Sequence, residues 1–405
     1  MTFKLLLIQA KKFALPSFIV IMLSFSLSTM NCADEPTSLG LKFLPSNETT
    51  GVRIFNSYID SMAMLSYNKI NRVNTYSSGF LIVGQSGTYN SKALIKFSGF
   101  SGDLANATVN SAVLQLRYRN YYFPVSMQDS LGQISFNIYR VLKNLDYGKV
   151  TFNNINSSTF GTVSMGTYTG TPTADSQAVN ITLDNSLVRD WLKYAANENY
   201  SPKNYGIVLS PNTTSNVLKG FYTFFSSPDL RPKVTIIYTL NSNTDTLVNN
   251  GSETVFIANA NLTPPAGEFY IQAGISYNRV MRFDMSKIPK DATINDVQLY
   301  LYLDSSNSKL TPETIYGLNA AFINDSAANT NEGFNFRIFG SKSVFMFRLI
   351  TPFQRWLQGE TNYGIIINPS NQSANLDRFA FYDINASDPN KRPKVVIYYT
   401  PRVTP

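Results

Sequence analysis

The sequence writes one strand twice. "RPKVTIIYT" at Arg231–Thr239 returns as "RPKVVIYYT" at Arg392–Thr400, and two further blocks repeat in the same order ahead of it. "LVRDWL" followed by "NYGIVL" from Leu187 matches "PFQRWL" followed by "NYGIII" from Pro352, with the chain's two tryptophans, Trp191 and Trp356, at equivalent points. "ATVNSAVLQLRY" from Ala107 aligns without gaps on "ATINDVQLYLYL" from Ala292, each behind a basic-aromatic strand, "LIKF" at Leu94 and "VMRF" at Val280. Three matched blocks in one order make a duplicated domain. A unit of roughly 150 to 190 residues is far longer than a solenoid repeat, which disfavours a parallel β-helix.

The period-2 pattern places Ala112, Leu114, Leu116 and Tyr118 on one face, matching Val297, Leu299, Leu301 and Leu303, and these faces are expected to form cores. The opposite faces carry Gln115, Arg117 and Arg119 in one copy and Gln298, Tyr300 and Tyr302 in the other. Leu187, Val188, Trp191, Leu192 and Ala195 recur at helical spacing, as do Phe353, Trp356 and Leu357, with Pro352 at a first helical position behind Thr351. Pro232 and Pro393 stand where a strand begins, the place where a missing N–H costs no ladder bond. The expectation is an all-β chain of two tandem antiparallel jelly-roll β-sandwich domains, each with a short helical plug. Domain 1 is placed at 50–240 and domain 2 at 251–401, with the turn-forming "NSNTDTLVNN" at 241–250 as linker.

Residues 1–31 have the form of a signal peptide: Lys4, Lys11 and Lys12 precede an apolar run from Phe13 to Leu27 that is short for a bilayer span. Cys32, the single cysteine, then stands where a bacterial lipoprotein carries its lipid, and 32–49 is expected to be a tether. The alternative is a secreted protein cut after Ser28 with one leftover thiol. The 28 Phe, 24 Tyr and low charge content suit an extracellular β protein at the outer membrane or cell surface. No histidine occurs, which excludes Ser-His and Cys-His nucleophiles, and one cysteine excludes a thiolate zinc site. Without the three leader lysines, 31 basic residues face 26 acidic ones, a mild bias toward acidic partners. No Lys/Arg run suggests nucleic acid, and a membrane is expected to be met only through the lipid anchor.

The repeated blocks, together with "YRVLKNLDYGKVTFNN" at Tyr139, "FYTFFSSPDLRPKVTIIYT" at Phe221 and "RFAFYDINASDPNKRPKVVIYYT" at Arg378, resemble the DNRLRE-type jelly-roll family. Modules of that family occur in exported bacterial proteins, often attached to polysaccharide-degrading enzymes, and some are described as carbohydrate-binding modules for alginate-like polymers. The resemblance therefore implies a sandwich fold and a polysaccharide ligand. The sequence departs from the family after "YRV": Leu145-Asp146-Tyr147-Gly148 and Thr151-Phe152-Asn153 replace tryptophan-bearing segments, and the second copy has only "NDSAANTNEGFNFRI" there. "CADEPTSLGLKFLP" from Cys32 also resembles the mature start of Bacteroidetes-type surface lipoproteins of unknown function.

Sugar recognition needs flat aromatic faces and cations or planar donors for hydroxyls and carboxylates. The candidates are Arg117, Arg119, Tyr121 and Tyr122 in "LRYRNYYF", and Tyr300 and Tyr302. The competing account is that these residues simply cover a sheet. Trp191 and Trp356 are expected in the cores, Lys96 and Arg282 in pairing roles, and Arg231, Lys233, Arg392 and Lys394 at turns. Catalysis would need a one-copy site, for example one with Asp146, because Asp190 is replaced by Arg355 in the second copy. No cofactor is expected beyond a structural calcium in "NLDRFAFYDINASDPN" at Asn375. The functional expectation is a non-catalytic surface lipoprotein that binds polysaccharide, with uronate-type glycans as the candidate class. The alternative is a structural or adhesive surface protein with protein partners. A concave row of Tyr and Arg favours the first; scattered aromatics and a large interdomain contact favour the second.

Overall fold

A computed structural model describes residues 51–124, 130–311, 317–325, 330–339 (backbone only) and 343–402. The expected signal peptide at 1–31, the tether at 32–49 and Cys32 lie outside the described residues. The chain is mostly β, in several antiparallel sheets, and Arg53–Pro401 forms one compact unit. In chain order the strands of its first part are β1 (Arg53–Asn56), β2 (Met64–Ile70), β3 (Leu81–Ser86), β4 (Tyr89–Phe97), β5 (Thr108–Phe123), β6 (Ile134–Arg140), β7 (Gly166–Gly170) and β8 (Ala178–Thr182). Helix α1 (Asn185–Ala196) precedes β9 (Ile207–Pro211), β10 (Leu218–Phe221), β11 (Lys233–Leu240) and β12 (Asn243–Asn259). The second part holds β13 (Glu268–Gln272), β14 (Tyr277–Phe283), β15 (Thr293–Tyr302), β16 (Gly317–Asp325), β17 (Thr330–Phe339) and β18 (Val344–Arg348). It ends with α2 (Ile350–Leu357), β19 (Ile365–Pro369), β20 (Arg378–Tyr382) and β21 (Lys394–Thr400).

Two large cores result, one per sandwich. The first lies between a layer of β12, β11, β5 and β8 and a layer running β10-β3-β4-β9-β6-β7; β5 and β12 are long enough to pair in both layers. The second lies between the sheet β1-β21-β15-β18 and the sheet β17-β16-β19-β14-β13-β20, with β2 against β14. All eight residues expected inward on β5 and β15 are buried, as are Trp191 and Trp356 with the rest of each helical stripe apart from Ala195, which is exposed. α2 begins at Ile350, two residues before Pro352. Pro352 therefore sits within the first turn, where its missing N–H needs no partner.

The repeated Asn-Tyr-Gly has a structural reason in both copies. Asn204 Nδ2 donates to Phe97 O and Asn362 Nδ2 donates to Phe283 O, each at 2.8 Å, tying the loop to the end of β4 or β14. The glycine that follows has φ +99 at Gly206 and +94 at Gly364, and an added Cβ would lie 2.6 Å from Ile95 O or 2.4 Å from Met281 O. Only glycine combines that backbone with that approach.

The expected boundaries need two corrections. Residues 241–250 are no linker: Asn241 and Ser242, at φ 50 and 66, form a two-residue turn, and β12 folds straight back on β11 in unbroken register from Lys233↔Asn250 to Leu240↔Asn243. The Asn/Thr content that suggested a linker is the solvent-facing half of an edge strand. Beyond Gly251 the same strand moves onto β4, where Val255, Phe256, Ile257 and Ala258 are buried. The second correction concerns 53–70, expected in the first domain. β1 pairs with β21 and β2 pairs with β14, so this segment occupies in the second sandwich the place that β12 occupies in the first. The N-terminal strands thus strap the second sandwich shut, and a division at 240/251 does not follow the sandwiches.

Candidate functional site

The six candidate residues divide by sandwich. On β5 the alternation inverts after Tyr118, because Asn120 at φ 41 forms a bulge and the register to β10 shifts there. Tyr121 consequently turns inward: it is 3% exposed, its hydroxyl accepts the Leu376 N–H at 3.0 Å, and burial pushes its pKa well up. It is a core residue bridging the two sandwiches, which corrects its assignment as a ligand contact. Arg117 Nη1 donates to Ser176 O at 3.2 Å. Arg119 donates to Gly79 O and lies over the rings of Phe80 at 4.5 Å and Tyr222 at 5.5 Å. Tyr122 packs half-buried against the first core. The first-copy cluster is therefore occupied with holding its own loops.

Tyr300 and Tyr302 remain on the outer face of the four-stranded sheet, half-buried and two residues apart, roughly 7 Å along the strand. Register puts Lys394 and Met346 on either side of Tyr300, Val396 and Arg348 beside Gln298, and Tyr398 beside Asp296. Lys394 Nζ stands 4.6 Å from the Tyr300 ring centre and 5.9 Å from that of Tyr58. Tyr58, just past β1, reaches across so that its hydroxyl meets Tyr302 and donates to Arg392 O. Burial, then the Tyr302 hydroxyl, raises the Tyr58 pKa; burial also raises that of Tyr302. Beside Tyr58 opens a groove of about 500 Å³ lined by Ser57, Tyr58, Met62, Asn385, Asn390 and Arg392. The result is one outer face carrying Tyr58, Tyr300 and Tyr302 beside a lysine, with Tyr398 farther along it.

Sequence reasoning missed Tyr58 and Tyr398 and placed Lys394 at a turn. Nothing local marks them, because their proximity depends on which strands pair. It also passed over Tyr76, Phe224 and Phe225, whose rings cluster at 4.0 to 5.6 Å on the first sandwich, with Phe225 exposed. The turn role holds for Arg231 and Arg392: Arg231 Nε donates to Ser226 O at 2.7 Å and Arg392 Nε to Ala386 O at 2.8 Å. Lys96 pairs with Glu253 at 3.1 Å, while Arg282 is exposed.

The carboxylates weighed for catalysis or calcium have protein partners. Asp146 Oδ1 accepts the Gly148 N–H, and Asp190 accepts from Arg140 at 2.6 Å and Tyr200 at 2.9 Å. In the Asn375 loop, Asp377 accepts from Thr311 and Asn375, Asp383 from Arg279, and Asp388 from the Asn390 N–H. Glu268 and Asp304 lie side by side, bridged by Asn307, with Glu268 raised in pKa by burial and Asp304 lowered, against the effect of burial, by the donors of Ser306. Two carboxyls in contact are too close to flank a glycosidic bond, which needs about 5 Å or more between them. Among the described residues no group of three or more Cys, Asp or Glu forms a metal cluster, and no helix is long and apolar enough to cross a membrane. Comparison of the chain with protein-family models and with curated proteins returns no match, so the likeness to DNRLRE-type modules stays a resemblance.

Proposed function

We propose that this protein is a non-catalytic, exported, lipid-anchored surface protein that binds polysaccharide on the outer face of the β1-β21-β15-β18 sheet. The observation that carries the reading is the grouping of Tyr58, Tyr300 and Tyr302 beside Lys394 on one outer face that Tyr398 shares farther along β21. Tyrosine faces stack on sugar C–H groups and offer hydroxyls at their rims. Lys394 adds charge suited to uronate carboxylates, while Arg348 at the far edge of the same face is paired with Asp296 at 3.8 Å. Export and anchoring rest on the leader and Cys32. The test is a screen of the chain from Asp34 onward against alginate, pectin and neutral glucans at two salt concentrations. Salt-sensitive retention by uronates supports the proposal, and retention by none of the polymers sinks it.

A second reading, a structural or adhesive surface protein, is favoured by one specific observation: the two sandwiches share a polar, well-bonded layer. Tyr89 donates to Gln272 at 3.1 Å and accepts from Arg378 at 3.0 Å, Ser78 donates to Ala374 O at 2.6 Å, and Tyr121 accepts from Leu376. A contact of this kind suits a rigid spacer. Capture of surface proteins by a chain that no glycan retains would favour it.

A further inference from the structure

The strap at 53–70 lies ahead of the first sandwich in sequence but belongs to the second in structure. The second sandwich accepts it in unbroken register, Arg53↔Tyr399 to Asn56↔Val396 and Met64↔Phe283 to Ile70↔Tyr277. Its side-chain anchors are mainly polar, beside the packing of Phe55, Met62 and Met64 on the second core. Ser57 Oγ accepts the Val395 N–H at 2.9 Å, Lys287 donates to Asp60 O and Ser61 O, and Arg279 donates to Ser66 Oγ at 2.6 Å and Asn68 Oδ1 at 3.0 Å. Its apolar side chains mostly point away from the sheet: Ile54, Ile59, Leu65, Tyr67 and Ile70 are exposed, and within the strap only Phe55 belongs to the buried apolar core. β12, its counterpart in the first sandwich, is the opposite case, tied to β11 by a two-residue turn and burying four consecutive apolar residues. Lifting the strap therefore uncovers Phe55, with Met62 and Met64 that pack partly buried against the second core, while its other apolar side chains already face solvent.

We propose that the strap exchanges between copies, so that residues 53–70 of one chain complete the second sandwich of another and the partner is a second copy of this chain. Every ladder bond and anchor in the closed chain is reproduced in the exchanged pair. The balance is then set by the connector at 71–80 and by protein concentration. That connector is fixed to its own chain, with Arg72 Nη2 donating to Asn259 Oδ1 at 2.6 Å, Thr75 to Phe256 O and Ser78 to Ala374 O. The swing consequently falls between Ile70 and Arg72. Tyr58 travels with the strap, so a reciprocal pair holds two complete tyrosine faces in one particle.

The test uses two full-length chains in a Cys32→Ser background, one carrying Leu65→Cys and the other Arg282→Cys. These positions face each other in the β2–β14 register, and both are exposed. The chains are mixed at high concentration after brief exposure to mild denaturant, then oxidised. The expected result is a disulfide-linked heterodimer several-fold above a control mixture of Leu65→Cys with Phe225→Cys, with a yield that rises with concentration. If the double variant cross-links within one chain while the mixture gives no excess over the control, exchange does not occur. Native mass spectrometry of mixed unlabelled and 15N-labelled wild-type chains, free of substitutions, should show mixed-label dimers after the same treatment. Their absence would likewise overturn the proposal.

Discussion

Arg279 is the most informative residue to remove. It lies 4% exposed on β14, where its guanidinium holds Ser66 and Asn68 of the strap and Asp383 at 2.5 Å, over the Phe269 ring at 4.5 Å. Burial lowers its pKa against the opposing pull of Asp383, and because a guanidinium stays charged, the fold must compensate that buried charge with these partners. Arg279→Met keeps much of the volume, strands the largely buried Asp383 carboxylate and removes two side-chain bonds to the strap while leaving the β2–β14 ladder in place. Breaking a buried pair in this way costs about 3–5 kcal/mol. The two lost strap bonds belong to the same network and are not added separately. Guanidinium unfolding followed through Trp356 in a Trp191→Phe background reads the second core, since Trp356 packs against Phe353 at 5.1 Å and Phe322 at 5.9 Å. Adding Asp383→Leu should recover most of the loss, because it removes the stranded charge. A loss under about 1 kcal/mol for Arg279→Met, or no recovery in the double variant, would refute an electrostatic anchor of this size.

Lys219 is fully buried, donates to Ser130 O and Pro172 O, and is lowered by burial to about 8. A lysine depressed in the fold binds fewer protons there than in the unfolded chain, so stability should rise from about pH 8 to about pH 9.5 and Lys219→Met should flatten that rise in chemical denaturation curves. The window stops short of pH 10, where tyrosines raised by burial, Tyr118 and Tyr147 among them, reverse the slope. Gly364→Ala should cost about 2 kcal/mol or more, because its Cβ meets Met281 O at a positive φ, and a melting curve checks this. Tyr121→Phe should cost about 1–3 kcal/mol through the stranded Leu376 N–H while leaving glycan retention unchanged, whereas a parallel loss of retention would return Tyr121 to the site.

Much of the fold was legible because the chain repeats itself. The inward faces of β5 and β15, the two tryptophan plugs and the Asn-Tyr-Gly loops follow from local pattern, and duplication exposes each pattern twice. Three things were hidden, each for a physical reason. Asn120 inverts the alternation on β5, and a bulge leaves no mark in residue type, so Tyr121 read as outward. The edge half of β12 is polar because one side meets water, and polar alternation with Asn and Thr looks like a linker. The strap is a long-range pairing: nothing in "RIFNSYIDSMAMLSYNKI" says that its partners lie more than 200 residues away on β14 and β21. The site suffered for the same reason. Tyr300 and Tyr302 could be named from their strand, but Tyr58 joins them only through the strap, and Lys394 and Tyr398 only through the pairing of β21 with β15.

The most direct test of sugar binding at the tyrosine face is affinity electrophoresis through a uronate-containing gel, comparing wild type with Tyr300→Ala combined with Tyr302→Ala. Loss of two stacking contacts worth about 1 kcal/mol each predicts a roughly tenfold or larger drop in affinity. Circular dichroism should be unchanged, because both rings lie on the outer face. Equal retardation of the two proteins would contradict the assignment of the site to this sheet.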